Sequence, residues 1–224
     1  MTSVSSTIEL VKAIVPAGSR ILDIGCGSGE FAAKLLALGY AVTGVEPQEH
    51  RIAEAQTNAP GAVFHVSGAE KLPFDDASFD AATMVHSLHH VPPPLMRRAL
   101  DEAMRCLKPG AALIVVEPPP EGSFHEVFKL IDDETGIRNQ AQAALDAACR
   151  DGLLRRDGHW HWENTNLYAD VTALIEDVAA VDAVRRERSA TNKREIERAL
   201  MAFGKHGPKG YALTHPIRAD VFRH

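Results

Sequence analysis

One acidic residue and three glycines stand at a regular spacing near the start of the chain. Asp23 precedes Gly25, Gly27 and Gly29, so the glycines occupy every second position. Glycine lets a backbone approach a ligand closely and adopt a positive φ. A carboxylate at this position would repel a diphosphate, but it could accept a hydrogen bond from an ammonium group. The pattern therefore favours a ligand with an ammonium group over one with a diphosphate.

The residues around this loop predict the elements that position it. Residues 21, 22 and 24 are apolar and predict the end of a buried parallel strand, and the amphipathic residues 30–39 predict a helix. A strand, a glycine loop and a helix form the first unit of an α/β nucleotide-binding fold. In the dinucleotide fingerprint Gly-x-Gly-x-x-Gly, a third glycine would fall where this chain has Glu30. The spacing therefore argues against a dinucleotide site.

Length and composition limit the classes of protein to which the chain can belong. With 224 residues it can hold one sizeable core, and we expect a single domain over residues 1–224. The net charge of -6 argues against broad binding to nucleic acid or to an anionic membrane, and no stretch approaches the roughly 18 apolar residues of a membrane span. Residues 1–6 lack the features of a signal peptide, and the three cysteines give no disulfide framework. We therefore expect a cytoplasmic protein with no nucleic-acid or membrane partner.

The segment Asp-Ile-Gly-Cys-Gly-Ser-Gly at residues 23–29 resembles motif I of the class I, Rossmann-like S-adenosylmethionine (SAM)-dependent methyltransferases that act on small molecules. The resemblance runs through residues 19–118, because the stretches at 67–74 and 107–117 also match this family. It implies an α/β three-layer sandwich around a mostly parallel seven-stranded sheet of order 3-2-1-4-5-7-6, with the last strand antiparallel. It also implies that residues 19–118 form the SAM-binding core and that residues from about 119 to 165 form a substrate or lid insertion.

By this resemblance the glycine loop carries the amino-acid part of SAM. The residues assigned to that part are Asp23, Gly25, Cys26, Gly27 and Gly29. SAM is expected as a co-substrate, and no metal is expected.

An acid follows the second predicted strand, residues 40–45, at a position suited to a ribose. Glu46 lies some 20 residues beyond the glycine loop, where a carboxylate can accept hydrogen bonds from both ribose hydroxyls. The alternative is a solvated carboxylate at a strand end. Pro47 and Gln48 follow, and we expect both in the cofactor site, with Gln48 beside the adenine.

The loop after the third predicted strand, residues 62–66, is assigned to the adenine by the resemblance. The assignment falls on the backbone of Ala69 and on Glu70. An aspartate often precedes this alanine in the family, whereas this chain has Gly68. The side-chain contact to the adenine amino group therefore stays open.

Three histidines follow the fourth predicted strand, residues 81–85. Ligands of open α/β sheets bind outside the carboxyl ends of the strands, so His86, His89 and His90 should lie near the sulfonium. Metal ligands, general bases and structural packing are all compatible with histidine, and the Leu-His-His sequence of the family favours a structural or cofactor-proximal role. We expect His86 to contact the ligands, and we name His86 and Glu117 as the candidate catalytic bases because both lie at strand ends.

The resemblance predicts SAM-dependent methyl transfer to a small-molecule acceptor by a monomer or homodimer. SAM is already activated, so transfer needs an aligned nucleophile, and a base is needed only if the acceptor must lose a proton. One alternative is a cyclase or lyase of the same fold that releases methylthioadenosine, for example while forming azetidine-2-carboxylate. A second alternative is a non-catalytic SAM-binding partner subunit. His159 and Tyr168 are weaker candidates for a base.

The second half of the chain predicts further helices and strands with less specific patterns. We expect helices at 124–131, 139–153, 168–181 and 185–203, strands at 159–165 and 217–222, and a turn at 205–210. The first of these helices would be a lid over the substrate or part of the core. The 185–203 segment begins with a patch of basic residues. We interpret this patch as a solvated helix face rather than as an anion-binding site.

Overall fold

The computed structural model describes residues 4–223 and divides into two compact units. The first contains residues 4–117, 140–161 and 218–223. The second contains Pro118–Asn139 and Trp162–Ile217. Residues 140–161, which we placed in the insertion, thus belong to the first unit. The single-domain assignment stays a prediction.

Eight strands lie in the described residues. In chain order they are β1 (Arg20–Ile24), β2 (Ala41–Glu46), β3 (Val63–Val66), β4 (Phe79–Val85), β5 (Leu107–Glu117), β6 (Arg155–Tyr168), β7 (Lys205–Gly207) and β8 (Gly210–Arg223). The sheet order is β3-β2-β1-β4-β5-β8-β6. Strands β1 to β5 pair in parallel, and β8 runs antiparallel to β5. The α/β fold, the strand order and the reversed last strand are confirmed.

One strand was not predicted. Residues 205–210 were expected to form only a turn, but β7 pairs antiparallel with the start of β8. Gly210 has φ +109°, a conformation that favours glycine, and this lets the chain reverse within two residues. The sheet therefore has eight strands rather than seven.

Nine α-helices are present in residues 4–223, together with a short 3-10 helix at Leu88–His90. In chain order they are α1 (Thr7–Ile14), α2 (Glu30–Ala37), α3 (Glu49–Asn58), α4 (Pro93–Cys106), α5 (Ser123–Phe128), α6 (Thr135–Arg150), α7 (Val171–Ala179), α8 (Ala183–Thr191) and α9 (Lys193–Phe203). None of these described helices has the length and apolar character needed to cross a membrane.

The prediction of a single helix over 185–203 is wrong, because Asn192 separates α8 from α9. The Asn192 backbone N–H still donates to the Arg188 carbonyl, but its side-chain amide donates to the Leu130 carbonyl at 2.8 Å. Asparagine is a poor residue for a helix interior because its amide competes for backbone hydrogen bonds. The chain therefore bends at this residue.

Apolar side chains cover both faces of the sheet in the first unit. On one face, Leu22 and Ile24 of β1 pack with Leu100 of α4 and Leu145 of α6. Side chains alternate between faces along a strand, so Asp23 points away from this cluster. Helices α1, α2 and α3 contact strands β5, β2 and β3. Since β1 to β5 are parallel, their carboxyl ends meet at one edge, where ligands of such sheets bind.

The second unit has a core of its own. Helices α5, α7 and α9 and strand β8 contribute buried residues to it, among them Phe128, Leu174, Ile196, Leu200 and Leu213. Arg185 of α8 pairs with Asp132 at 3.0 Å and with Glu134 at 2.9 Å. This unit is therefore held by an apolar cluster and by ion pairs between α8 and the segment before α6.

Candidate functional site

The three glycines after β1 all have positive φ, but they serve different purposes. Their φ values are +76° at Gly25, +52° at Gly27 and +79° at Gly29. A Cβ on Gly25 would lie 2.5 Å from the Cβ of Ser87, and one on Gly29 would lie 2.8 Å from the Cα of Ala55. A Cβ on Gly27 would meet nothing within 4 Å. Gly25 and Gly29 therefore allow close packing, whereas Gly27 presents bare backbone to open space.

The acid before this loop is buried with one oxygen satisfied. Asp23 is 2% exposed, and Thr83, its register partner on β4, donates from Oγ1 to Asp23 Oδ1 at 2.9 Å. Asp23 Oδ2 is buried without a hydrogen-bond partner in residues 4–223. Burial raises the pKa of Asp23 to about 7, and the bond from Thr83 offsets only part of that rise. A buried acceptor without a partner costs free energy, so a cation placed against Oδ2 would be stabilised strongly.

Glu46 joins the glycine loop to the end of β2. The side chain is 7% exposed, its Oε2 accepts from the Gly27 N–H at 3.3 Å, and its Oε1 accepts from the Gln48 N–H at 3.2 Å. Each carboxylate oxygen can accept a second hydrogen bond. The two backbone donors therefore fix the carboxylate and leave it able to bind two hydroxyl groups.

Cys26 contributes packing rather than reactivity. Its side chain is buried, and a Cβ on Gly44 would lie 2.8 Å from its Sγ. Burial, followed by the charges of Asp23 and Glu46, raises the pKa of the Cys26 thiol far above its usual range. The thiol therefore stays protonated and is a poor nucleophile, because the thiolate is the reactive form.

The loop after β3 carries a carboxylate in an unexpected position. The backbone N–H of Ser67 donates to the Glu46 carbonyl at 3.1 Å, which ties this loop to the end of β2. A Cβ on Gly68 would collide with both carboxylate oxygens of Glu70. The Glu70 carboxylate thus occupies the space of a side chain at position 68. Ala69 lies between these two residues and is half-buried.

The loop after β4 is anchored to the neighbouring strands. Ser87 is buried and donates from Oγ to the Ile24 carbonyl at 2.7 Å, directly before the glycine loop. His86 is exposed, has φ +52° and donates its backbone N–H to the Val116 carbonyl at 2.8 Å. Positive φ is uncommon outside glycine. The strand end therefore holds His86 in an unfavourable backbone conformation.

Glu117 is bound to the same loop at both oxygens. Its Oε1 accepts from the Leu88 N–H at 2.8 Å, and its Oε2 contacts Nδ1 of the buried His89. The side chain is 13% exposed. This geometry favours a positioning role for Glu117 over the role of general base that its strand-end position suggested. Of the structural and cofactor-proximal roles that the Leu-His-His sequence favoured, the same contact favours the structural one for His89.

Most of the predicted residues belong to one connected set. Asp23, the glycine loop and Glu46 meet around the end of β1, Glu70 is linked through Ser67, and His86 adjoins Ser87. Pro47 and Gln48 lie at the start of α3, and both are exposed.

Two residues of the site, Thr83 and Ser87, were not predicted from the sequence. The signal for Thr83 was a polar residue inside the apolar run 81–85, but only the register of β1 against β4 shows that it faces Asp23. Ser87 lies between His86 and Leu88 in the sequence, and its neighbours give no signal for its role. Its role depends on the close approach of two loops that are far apart in the chain.

Comparison with known proteins finds a family profile and relatives that are described as methyltransferases. A family profile described as "Methyltransferase domain" matches residues 22–115. A demethylmenaquinone methyltransferase from Clavibacter sepedonicus is 31% identical over 76% of this chain and 78% of its own length. A 27-O-demethylrifamycin SV methyltransferase from Amycolatopsis mediterranei is 38% identical over 47% of this chain and 42% of its own, so the chain spans less than half of that relative.

A solved structure of similar size supports the fold. The SAM-dependent methyltransferase from Methanosarcina mazei aligns with a TM-score of 0.57 at 22% identity, over 94% of this chain and 96% of its own. The curated relatives are named as methyltransferases, and neither the cyclase or lyase reading nor the partner-subunit reading is favoured. With a relative matched over most of both sequences, this chain belongs to the class I SAM-dependent methyltransferases.

Proposed function

We propose that this methyltransferase transfers the methyl group of SAM to a hydroxyl oxygen of a small-molecule acceptor. The observation that carries the SAM part of this proposal is the buried, half-satisfied carboxylate of Asp23 beside the open backbone of Gly27. The hydroxyl acceptor is proposed from a relative whose name refers to an O-demethyl compound. SAM supplies a methyl group on a positively charged sulfur, so the protein has only to align the acceptor with it.

Asp23 would hold the ammonium group of SAM. Its Oδ2 is the acceptor that lacks a partner in residues 4–223, and Thr83 fixes the other oxygen. A bound ammonium would stabilise the ionised carboxylate, because an opposite charge lowers the pKa of an acid. The open side of Gly27 would let the amino-acid part lie directly against the loop.

Glu46 would bind the two ribose hydroxyls. The N–H groups of Gly27 and Gln48 hold its carboxylate in one orientation, so little side-chain entropy remains to be lost when a ligand binds. A carboxylate accepting from two vicinal hydroxyls forms charge-assisted hydrogen bonds.

The adenine would lie between Pro47 and Gln48 on one loop and Ala69 and Glu70 on the other. The backbone of Ala69 would bind the base edge. Glu70 would accept from the adenine amino group, because its carboxylate fills the space of the side chain that Gly68 lacks. This assignment gives a physical role to a departure from the family pattern.

His86 would accept the proton of the acceptor hydroxyl. It is exposed at the carboxyl end of β4, and strained backbone conformations persist where the surrounding structure enforces them, commonly at functional sites. Glu117 would act on this histidine indirectly, by holding the loop through Leu88 and His89.

The acceptor class can be tested directly. One relative named above is a demethylmenaquinone methyltransferase, and the name of the other refers to an O-demethyl compound. For this chain we propose a small molecule with an acidic hydroxyl group. The protein would be incubated with SAM and a panel of phenols, quinols and aliphatic alcohols, and both products would be identified by mass spectrometry. Acceptor-dependent S-adenosylhomocysteine together with an O-methylated phenol or quinol is the expected result, and a product methylated on ring carbon would contradict the oxygen acceptor. Methylthioadenosine formed without an acceptor would instead mean that the enzyme cleaves SAM.

A further inference from the structure

Two histidines on β6 face each other at a distance that is useful for metal binding. His159 and His161 are separated by one residue, so both side chains lie on the same face of the strand. Their Nε2 atoms are 2.6 Å apart, and their rings are nearly perpendicular at 88°. Both side chains are exposed, and both belong to the first unit. Two imidazole nitrogens thus converge on one point at the protein surface.

A buried carboxylate orients the first of these histidines. Asp220 of β8 is 2% exposed, and its Oδ1 lies 3.2 Å from Nδ1 of His159. Arg156 and Arg218 bind the same carboxylate at 3.0 Å and 2.8 Å. With its Nδ1–H directed at Asp220, His159 has its lone pair on Nε2, the atom that faces His161. A carboxylate on the outer nitrogen of a metal-binding histidine fixes its ring in this way.

We propose that His159 and His161 form an open binding site for a divalent transition metal such as Zn²⁺ or Ni²⁺, with Asp220 as the orienting carboxylate. A tetrahedral ion with Zn–N bonds of about 2.0–2.1 Å would require the two nitrogens to be about 3.3 Å apart. The rings need to separate by less than about 1 Å to reach that distance. Water or a ligand would fill the remaining positions.

Metal binding would replace the present contact between the two rings. With the His159 lone pair on Nε2, the contact at 2.6 Å is a hydrogen bond donated by His161 Nε2–H. Metal binding at both Nε2 atoms therefore requires the hydrogen of His161 to move to its Nδ1, and both imidazoles stay neutral. Imidazole suits zinc, nickel and copper, whereas magnesium and calcium prefer oxygen ligands. The site is therefore predicted to reject Mg²⁺. The proposal is independent of the proposed methyl transfer.

The test is a metal titration of the tag-free full-length protein. Calorimetry with ZnCl₂ would be carried out on the wild type, on H161A and on H206Q, which alters an exposed histidine of β7. The wild type and H206Q should each bind one more equivalent of zinc than H161A. Nitrogen NMR of the wild type should show that zinc shifts the Nε2 resonances of both His159 and His161.

A variant of the carboxylate that orients His159 completes the experiment. D220N should retain the extra equivalent but bind it about 10–100-fold more weakly, as is typical when the outer partner of a metal ligand is lost. If D220N does not fold, H161A still decides the question, because His161 is exposed. Equal zinc stoichiometry in the wild type and H161A, or unchanged Nε2 resonances, would overturn the proposal and leave the pair as two hydrogen-bonded imidazoles.

Discussion

The Thr83 hydroxyl donates to one oxygen of the buried Asp23 carboxylate at 2.9 Å, while the second oxygen has no hydrogen-bond partner in the described part of the chain. Strand pairing produces this relationship, because β1 and β4 place the two residues opposite each other. In this arrangement the buried acid costs stability when it is ionised. A bound cation would remove that cost.

The first prediction concerns the pH dependence of stability without ligand. The pKa of Asp23 is about 7 in the folded protein and near 3.8 in the unfolded chain. Between these values the unfolded state has lost the proton that the folded state keeps, so stability falls as the pH rises from about 4 to 7 and then levels off. Asp23→Asn removes this effect. Urea unfolding should show the variant to be more stable than the wild type at pH 8, by up to about 4 kcal/mol, with the difference shrinking towards pH 4. If the free energy of unfolding changes with pH in the same way in both proteins, the raised pKa of buried Asp23 is contradicted.

The second prediction separates backbone strain from ligand binding at the glycine loop. Gly27 and Gly39 both have positive φ, and a Cβ would meet nothing within 4 Å at either position. An alanine in this conformation costs about 1–2 kcal/mol, so G27A and G39A should lose similar stability in thermal unfolding. Only G27A should weaken SAM binding in calorimetry. An equal SAM affinity in the two variants would place the ligand away from this loop.

The third prediction concerns the carboxylate at the end of β2. Glu46→Gln keeps the size of the side chain but removes its charge and one acceptor. Loss of charge-assisted hydrogen bonds to the ribose should cost about 1.5–3 kcal/mol of SAM binding free energy. Glu49→Gln, an exposed position in the first turn of α3, serves as the matched control and should bind SAM normally. If both variants bind alike, Glu46 has only the structural role of joining two loops.

The fourth prediction distinguishes a catalytic from a positioning residue after β4. His86→Ala should lower kcat by about 100-fold or more and remove the acidic limb of the pH–rate profile, with little change in SAM affinity. Glu117→Gln should also lower kcat, because it loosens the loop, but the shape of its pH–rate profile should stay that of the wild type. A changed profile in Glu117→Gln alone would reverse the two roles.

The sequence predicted the features that depend on local pattern. The order of strands, glycine loop and helices follows from apolar runs separated by glycine and proline, and the reversed last strand followed from the family resemblance. The two-unit division could not be predicted, because residues 140–161 return to the first unit only through tertiary packing. The hairpin of β7 and β8 was hidden for a similar reason, since three residues are too few to show a strand period.

Within the site, residue identity was easier to predict than residue contact. Asp23 and Glu46 stood out by their positions after the glycine pattern and at a strand end. The pairing of Glu117 with His89 could not be predicted. In a sequence, a carboxylate at a strand end gives the same pattern whether its side chain faces a ligand or a neighbouring loop. The displacement of Glu70 into the space above Gly68 is likewise a matter of side-chain geometry that spacing does not encode.

The measurement that tests the central claim most directly is calorimetric titration of the wild type and Asp23→Asn with SAM at pH 8. We predict that the wild type binds one equivalent and that the variant, shown to be folded by circular dichroism, binds about 100-fold more weakly because the ammonium group has lost its charged partner. Equal affinity in the two proteins would contradict the placement of the amino-acid part at Asp23. Absence of SAM binding to the wild type would contradict the proposed function itself.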